Sequence, residues 1–235
     1  MIENILEVKD LHYTYIDGTH ALKGVTLDIK QGMTTAVLGG NGAGKSTLFL
    51  SLNGTLKPTA GKVLFKGLQL DYSRKGLRDL RKSVGIVFQD PDSQLFSASV
   101  LQDISFGPIN MKLPEEEVRK RVNAAMDRIG ISHLKDKPTH CLSFGQKKRV
   151  AIAGVLAMEP EVLVLRGRFV VVWQDYWGDG DTGALNGAHQ VRDGLAPVEL
   201  ERAPSLRGEF DDVFLLQLAR GHGKGRTRVA GSLHK

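Results

Sequence analysis

TTAVLGGNGAGKSTLFLSLNGTL, residues 34 to 56, is the stretch whose reading decides how this chain folds. It opens as a short apolar run, passes through glycines, and from Lys45 onward places apolar residues at helical spacing, so it reads as strand, glycine loop, helix. Within it GGNGAGKST, residues 39 to 47, fits a phosphate-loop pattern of Gly, four residues, then Gly-Lys-Ser. Gly39, Gly40, Asn41, Gly42, Ala43 and Gly44 let the backbone turn so that successive N–H groups point inward at phosphate oxygens. The helix that follows presents its positive N-terminus to the same anion. Lys45 reaches the outer phosphates, and Thr47 completes the segment. Ser46 offers a hydroxyl to Mg²⁺, a cation that takes octahedral oxygen ligands and keeps several waters. The position of the loop between strand and helix separates it from a chance glycine-rich turn.

Working outward, ILEVKDLHYTY (5 to 15), VTLDIK (25 to 30) and KVLFKGLQL (62 to 70) alternate and carry the β-branched content of strands, which predicts an N-terminal β layer. SVGIVFQ (83 to 89) reads as a core strand, and EVLVL (161 to 165) suits a buried parallel strand. LPEEEVRKRVNAAMDRIGI (113 to 131) has acidic residues in its first turn, periodic apolar residues and a terminal glycine, the marks of an amphipathic helix. SFGQKKRVAIAGVLAM (143 to 158) predicts a further helix. The expected fold class is α/β, a phosphate-loop core of the RecA-like kind with an N-terminal antiparallel β layer and a helical part at about residues 95 to 150.

The 235 residues suffice for one large or two small domains. A net charge of +6 permits phosphate, nucleic-acid or anionic-membrane partners without choosing among them. Cys141 is the single cysteine, so no intrachain disulfide forms, and MIENILEVKD carries no cationic-then-apolar leader; both point to a cytoplasmic protein. The apolar runs are far shorter than the ~20 residues of a membrane-spanning helix, so a membrane role comes through a partner.

Beyond the phosphate loop, CLSFGQKKRVAIAGVLAMEPEVLVL (141 to 165) resembles the signature region of ABC transporter ATP-binding subunits. LSFGQ (142 to 146) is similar to that family's LSGGQ with one glycine replaced by Phe144, and VFQDPDSQLF (87 to 96) to its Q-loop. DPDSQLF together with YTYIDGTHALKGV (13 to 25) resembles most the energy-coupling-factor and cobalt-importer branch, over residues 3 to 165. The resemblance implies ATP and Mg²⁺ as cofactors, with Tyr15 stacking on adenine and Tyr13 as the nearby alternative. It gives Gln89 to the metal and an attacking water, and Ser143, Gly145 and Gln146 to a γ-phosphate held by the opposite subunit. A head-to-tail dimer with a second ATP-binding subunit follows, beside integral membrane permease subunits and no specific nucleic acid. The residues agree physically: a tyrosine face stacks on any base, an amide can meet both cation and water, and Ser143 opens a helix. Read alone, Tyr15 is packing, Gln89 is solvated surface and SFGQ is an ordinary N-cap.

The pattern breaks after EVLVL, where the resemblance calls for an Asp holding the Mg²⁺ shell and a Glu polarising water; the chain has Arg166 and Gly167. No partner-contact loop or switch histidine follows; His189, His222 and His234 stand in glycine-rich or terminal contexts. Glu159 and Glu161 precede the strand and would lie at its far end. Composition changes at the same place: residues 1 to 165 hold 15 Lys, 7 Arg and 10 Ile, residues 166 to 235 hold 2 Lys, 8 Arg and no Ile, which argues against gradual divergence. This glycine- and arginine-rich segment is atypical and of unassigned fold. FVVVW (169 to 173) and DDVFLLQLA (211 to 219) can be strands or helix, RGHGKGRTRVAGSLHK (220 to 235) fits a disordered tail, and Asp175, Asp179 and Asp181 read as a solvated turn. A shifted reading frame, a fusion or an engineered change each accounts for the break.

The expected function is that of an ATP-binding subunit energising import of a cobalt-like transition-metal ion or a vitamin, with hydrolysis impaired, peripheral on the inner face of the membrane. Three alternatives stand beside it: an active transport ATPase with a carboxylate from the tail, an ATP switch outside transport, and a poorly folded chain.

Overall fold

The computed structural model describes residues 3–38 and 41–165 and, as backbone, residues 213–218 and 227–230. The N-terminal β layer is present: β1 (Asn4–Thr14), β2 (His20–Lys30), β4 (Ala60–Phe65) and β5 (Leu68–Gln69) form an antiparallel sheet in the order β2-β1-β4-β5. Leu6, Val8 and Leu11 of β1 are buried completely, Leu11 beyond a register shift that interrupts the alternation.

The second sheet holds β3 (Thr34–Leu38), β6 (Val84–Val87) and β7 (Val162–Leu165), the three core strands read from sequence. Its order is β6-β7-β8-β3-β9, where β8 is Val213–Leu218 and β9 is Thr227–Ala230. β7 runs parallel to β6 and antiparallel to β8; β3 runs antiparallel to β8 and parallel to β9. One sequence expectation changes here. Thr227–Ala230, inside the segment read as a disordered tail, is paired strand, because an open sheet edge beside β3 rewards pairing that local composition does not advertise. β7 is not the immediate neighbour of the phosphate-loop strand; β8 separates them.

Helix α1 (Lys45–Leu52) follows the phosphate loop as expected. Helix α4 (Glu115–Ile129), with Glu115, Glu116 and Glu117 in its first turn, and helix α5 (Phe144–Leu156) match the two helices read from periodicity. Two more complete the set: α2 (Arg74–Ser83), capped by the Ser73 hydroxyl, and α3 (Val100–Asn110), capped by Ser99. α3 continues through Gly107 and Pro108; a Cβ on Gly107 would lie 2.6 Å from Met158 Cγ, so the missing side chain lets α3 approach the end of α5 closely. No helix among the described residues is long and apolar enough to cross a membrane.

Two apolar cores result. The first joins β1, β2 and β4 to α1, with Phe49, Leu48 and Leu52 inside; the second joins α3, α4 and α5. β7 serves both, Val162 and Val164 facing the first and Leu163 and Leu165 the second. Phe49 is the largest fully buried side chain, so Phe49→Ala should cost about 3–5 kcal/mol, read as a lowered urea midpoint at unchanged slope. Leu68→Ala, at a position 76% exposed, should change stability by less than about 0.5 kcal/mol in the same assay.

Candidate functional site

The loop between β3 and α1 is shaped by Gly44, which caps α1 at φ 85°. A Cβ there would stand 2.4 Å from the Ala21 carbonyl oxygen, so both the left-handed backbone and the proximity to β2 demand glycine. Gly42 is also left-handed, at φ 77°. Having no side chain, the Gly44 cap makes no side-chain hydrogen bond to the helix start. Lys45 and Thr47 are each only 4% exposed, Ser46 is half-buried and Asn41 is exposed. Gly39 and Gly40 lie outside the described residues.

Tyr15 lies just past the end of β1, in a turn closed by its own N–H donating to the Thr19 carbonyl at 2.9 Å. Its hydroxyl meets Thr47 Oγ1 at 2.9 Å, joining the turn to the first turn of α1, and its ring is 39% exposed. Tyr13 packs against the first core and meets Tyr15 edge-to-face with ring centroids 4.9 Å apart. Of the two tyrosines, Tyr15 is the one tied to the phosphate-loop helix.

Strand register brings the remaining segments to one edge. Val87 pairs with Leu165, Leu165 with Leu215, and Leu215 with Ala36, and β3, β6 and β7 all run the same way. Gln89, two residues past β6, and the loop that follows β3 therefore emerge at the carboxyl ends of parallel strands, the place where open α/β sheets bind ligands. Gln89 is exposed. Glu159 and Glu161 flank the opposite end of β7, where Glu161 pairs with Lys66 and Glu159 with Arg121 at 3.2 Å. Arg166, Gly167, His189, His222, His234, Asp175, Asp179 and Asp181 lie outside the described residues.

Ser143 and Gln146 form a complete capping box at the start of α5: Gln146 N–H donates to Ser143 Oγ at 3.3 Å, and Ser143 N–H donates to Gln146 Oε1 at 3.0 Å. The ordinary N-cap is thus the geometry of this chain by itself, with Gly145 and Phe144 exposed beside it.

Sequence reading missed Lys148. From the second turn of α5 its ammonium donates to the Phe88 carbonyl at 2.6 Å and the Gln89 carbonyl at 3.1 Å. Burial pushes its pKa down to about 8, with Asp90 pulling it back up. Lys147 pairs with Asp92 at 2.5 Å, and Gln94 Oε1 accepts the Phe88 N–H at 2.9 Å. Asp103, buried at the start of α3, accepts the N–H groups of Phe96 and Ser97 at 3.0 and 2.8 Å. The signal for Lys148 was its place within KKR directly after the LSFGQ segment, which periodicity reads only as the polar side of a helix.

No cluster of three or more His, Cys, Asp or Glu able to hold a metal occurs among the described residues. The groups that suit Mg²⁺ are instead neutral oxygens, the Ser46 hydroxyl and the Gln89 amide, on segments following two strands of the same edge; with anionic phosphate oxygens and waters they fit an octahedral oxygen shell. Gly44→Ala should destabilise the protein by more than ~1 kcal/mol, since the new methyl is both left-handed and in contact with Ala21, and chemical denaturation reads this directly.

Comparison with known proteins follows this geometry. The family model described as ABC transporter matches residues 22–165. The energy-coupling factor transporter ATP-binding protein EcfA3 of Clostridium perfringens is 68% identical over 165 residues, 70% of this chain and 58% of that protein. EcfA of Methanocaldococcus jannaschii, with the same description, is 55% identical over 161 residues, 68% of this chain and 58% of its own length. Among solved structures, cbiO1 from Clostridium perfringens, part of the ABC transporter complex cbiONQ, is 69% identical with a TM-score of 0.64, covering 69% of this chain and 65% of that one. An ATP-binding cassette solved as a dimer in a post-hydrolysis state, bound to ADP and Pi, is 30% identical with a TM-score of 0.61, covering 67% of this chain and 72% of that one. The chain spans 58% of the length of these two curated relatives.

Proposed function

Because the chain belongs to the ABC transporter family, we propose that it is an ATP-binding subunit of the energy-coupling-factor type, built to energise import of a cobalt-like metal ion or a vitamin and impaired in hydrolysis. The observation that carries the nucleotide site is the Tyr15–Thr47 hydrogen bond, which fixes an exposed aromatic ring beside the first turn of the phosphate-loop helix. A ring and a phosphate cradle held side by side suit one nucleotide, its base on the face of Tyr15 and its phosphates on residues 39–47. Lys45 holds the outer phosphates, Ser46 and Gln89 hold Mg²⁺, and Ser143, Gly145 and Gln146 wait for the γ-phosphate of a partner subunit. Mg²⁺, when bound, neutralises the developing charge on the phosphoryl group.

Residues 1–165 carry the ATP-binding motifs, with the helical part at about residues 95–150, and residues 166–235 are an atypical segment that contributes β8 and β9 to the same sheet. A permease subunit is the partner for the helical part, where Phe96, Phe106 and Ile109 are 64, 49 and 59% exposed and Phe96 meets Phe106 edge-to-face at 4.6 Å. That contact would hold the protein on the inner face of the membrane.

The identity of Arg166 and Gly167 supports impaired hydrolysis. A guanidinium stays charged, repels Mg²⁺ and pairs with phosphate, and loss of a general base alone costs about 10²–10⁴ in rate. A second reading, an active ATPase served by the tail, is favoured by one feature of register. Val213 pairs with Leu38, so β8 begins at the phosphate-loop edge, and the two residues before Val213 in sequence are Asp211 and Asp212.

Three outcomes test these statements. In calorimetric titration Lys45→Ala should weaken ATP binding about tenfold or more, the scale of a lost charge-assisted hydrogen bond; equal affinity in parent and variant would sink the site. Tyr15→Ala should cost about 1–3 kcal/mol of ATP affinity and leave inorganic triphosphate binding unchanged, because stacking serves only the base. Arg166→Asp with Gly167→Glu should raise the dependence of ATP affinity on Mg²⁺ without restoring steady-state phosphate release. Robust phosphate release by the parent, abolished by Lys45→Ala and by Asp211→Asn with Asp212→Asn, would establish the second reading in its place.

A further inference from the structure

The segment from Phe88 to Gln94 leaves β6 and crosses toward α3, closed on itself by one hydrogen bond and held to α5 by two lysines. Gln94 Oε1 accepts the Phe88 N–H, Asp92 pairs with Lys147, and the Lys148 ammonium takes both the Phe88 and Gln89 carbonyls. Within the segment, Ser93 Oγ donates to the Asp90 carbonyl at 2.6 Å and the Asp92 N–H to Asp90 Oδ1 at 3.0 Å. The side chain of Gln89 is exposed, while its carbonyl is gripped from α5. We infer that Lys148 is a positioning residue: its ammonium clamps the backbone of Gln89 to the helix opened by Ser143 and Gly145, so that Gln89 and the LSFGQ segment move as one body.

The chemistry favours lysine for this task. Its ammonium is a compact group with three donors, enough to serve two adjacent carbonyls at once. Those carbonyls belong to the residues immediately following a sheet strand, where no ladder partner among the described residues takes them, and a charged donor holds them strongly. The helix end nearer to Lys148 is the one that carries the capping box, and only one turn separates Lys148 from Phe144. A displacement of that turn by a ligand on Ser143 or Gly145 would therefore be passed to Gln89 directly through Lys148, beside the Lys147–Asp92 pair and the packing of α5 on Val87.

In its functional part this inference rests on the nucleotide reading above; the clamp itself does not. Lys148→Met keeps the side-chain stem and removes the ammonium, whereas Lys148→Arg keeps a charged donor able to serve two oxygens. Hydrogen exchange of the nucleotide-free protein should show amides of residues 88–95 exchanging about tenfold faster in Lys148→Met and returning most of the way in Lys148→Arg. Unchanged exchange in Lys148→Met, or an equal acceleration throughout α3 and α4, would overturn the clamp. For the functional part, ATP affinity in the presence of Mg²⁺ should fall about three- to tenfold in Lys148→Met and recover in Lys148→Arg, and Lys148→Met should cost nothing further in a Gln89→Ala background. No loss in the single variant, or the same loss in both backgrounds, would overturn action through Gln89. Absence of ATP binding by the parent would instead remove the nucleotide reading, and the exchange comparison would still decide the clamp.

Discussion

A strand that is apolar on both faces can be satisfied only between two layers, and β7 imposes that constraint on this chain. Val162 and Val164 enter the core shared with the antiparallel sheet and α1, while Leu163 and Leu165 enter the core built from α3, α4 and α5. All four are buried, and removing such residues from water is worth roughly 1.5–3 kcal/mol each. The same strand therefore fixes where the two apolar layers sit and which way the sheet faces. With β7 parallel to β6 and, across β8, to β3, the carboxyl ends of three strands share one edge. The candidate site is at that edge because the core leaves nowhere else for these loops to emerge.

What gathers at the edge is tied together by a few polar contacts between elements distant in sequence. Tyr15 bonds Thr47 across 32 positions, and Lys148 bonds Phe88 and Gln89 across about 60. Gly44 leaves room for Ala21, so β2 closes against the phosphate loop. Each contact ties a loop at the edge to an element anchored in the core, which is how a preformed site keeps its geometry. The capping box at Ser143 and Gln146 uses groups that the family resemblance gives to a partner's phosphate. Engagement of that phosphate would then exchange a weak local cap for a charge-assisted contact.

Much of this was legible in the residues. Alternation gave β1, β2 and β4, the glycine loop gave β3 and α1, and the acidic first turn of α4 marked its start. α2 escaped because RKGLRDLRKS is charged at most positions and buries only Leu80, leaving too little periodicity to read. α3 escaped because Gly107 and Pro108 punctuate it, and what holds the helix, the Ser99 cap and the packing of Val100 and Ile104 against α4 and α5, is not visible in local periodicity. Thr227–Ala230 was hidden by its glycine-rich surroundings, since pairing with β3 is a tertiary event with no local signature. Among the candidate site residues, the phosphate loop, Gln89 and Tyr15 were visible as motif positions, and of the two tyrosines Tyr15 is the one bonded to Thr47. Lys148 was not visible, because a lysine on the polar side of a helix reveals nothing about carbonyls about 60 positions away.

A phosphate-binding unit that folds despite the break in pattern at Arg166 must be stabilised by its nucleotide. Thermal unfolding of the purified protein across a series of ATP concentrations tests fold and ligand together. A ligand bound only by the native state stabilises it by RT ln(1 + [L]/Kd), about 2.7 kcal/mol at a hundredfold excess over Kd. The expected result is one cooperative transition whose midpoint climbs by several degrees as ATP rises to that excess. A cooperative transition indifferent to ATP, or the absence of any cooperative transition, would contradict it.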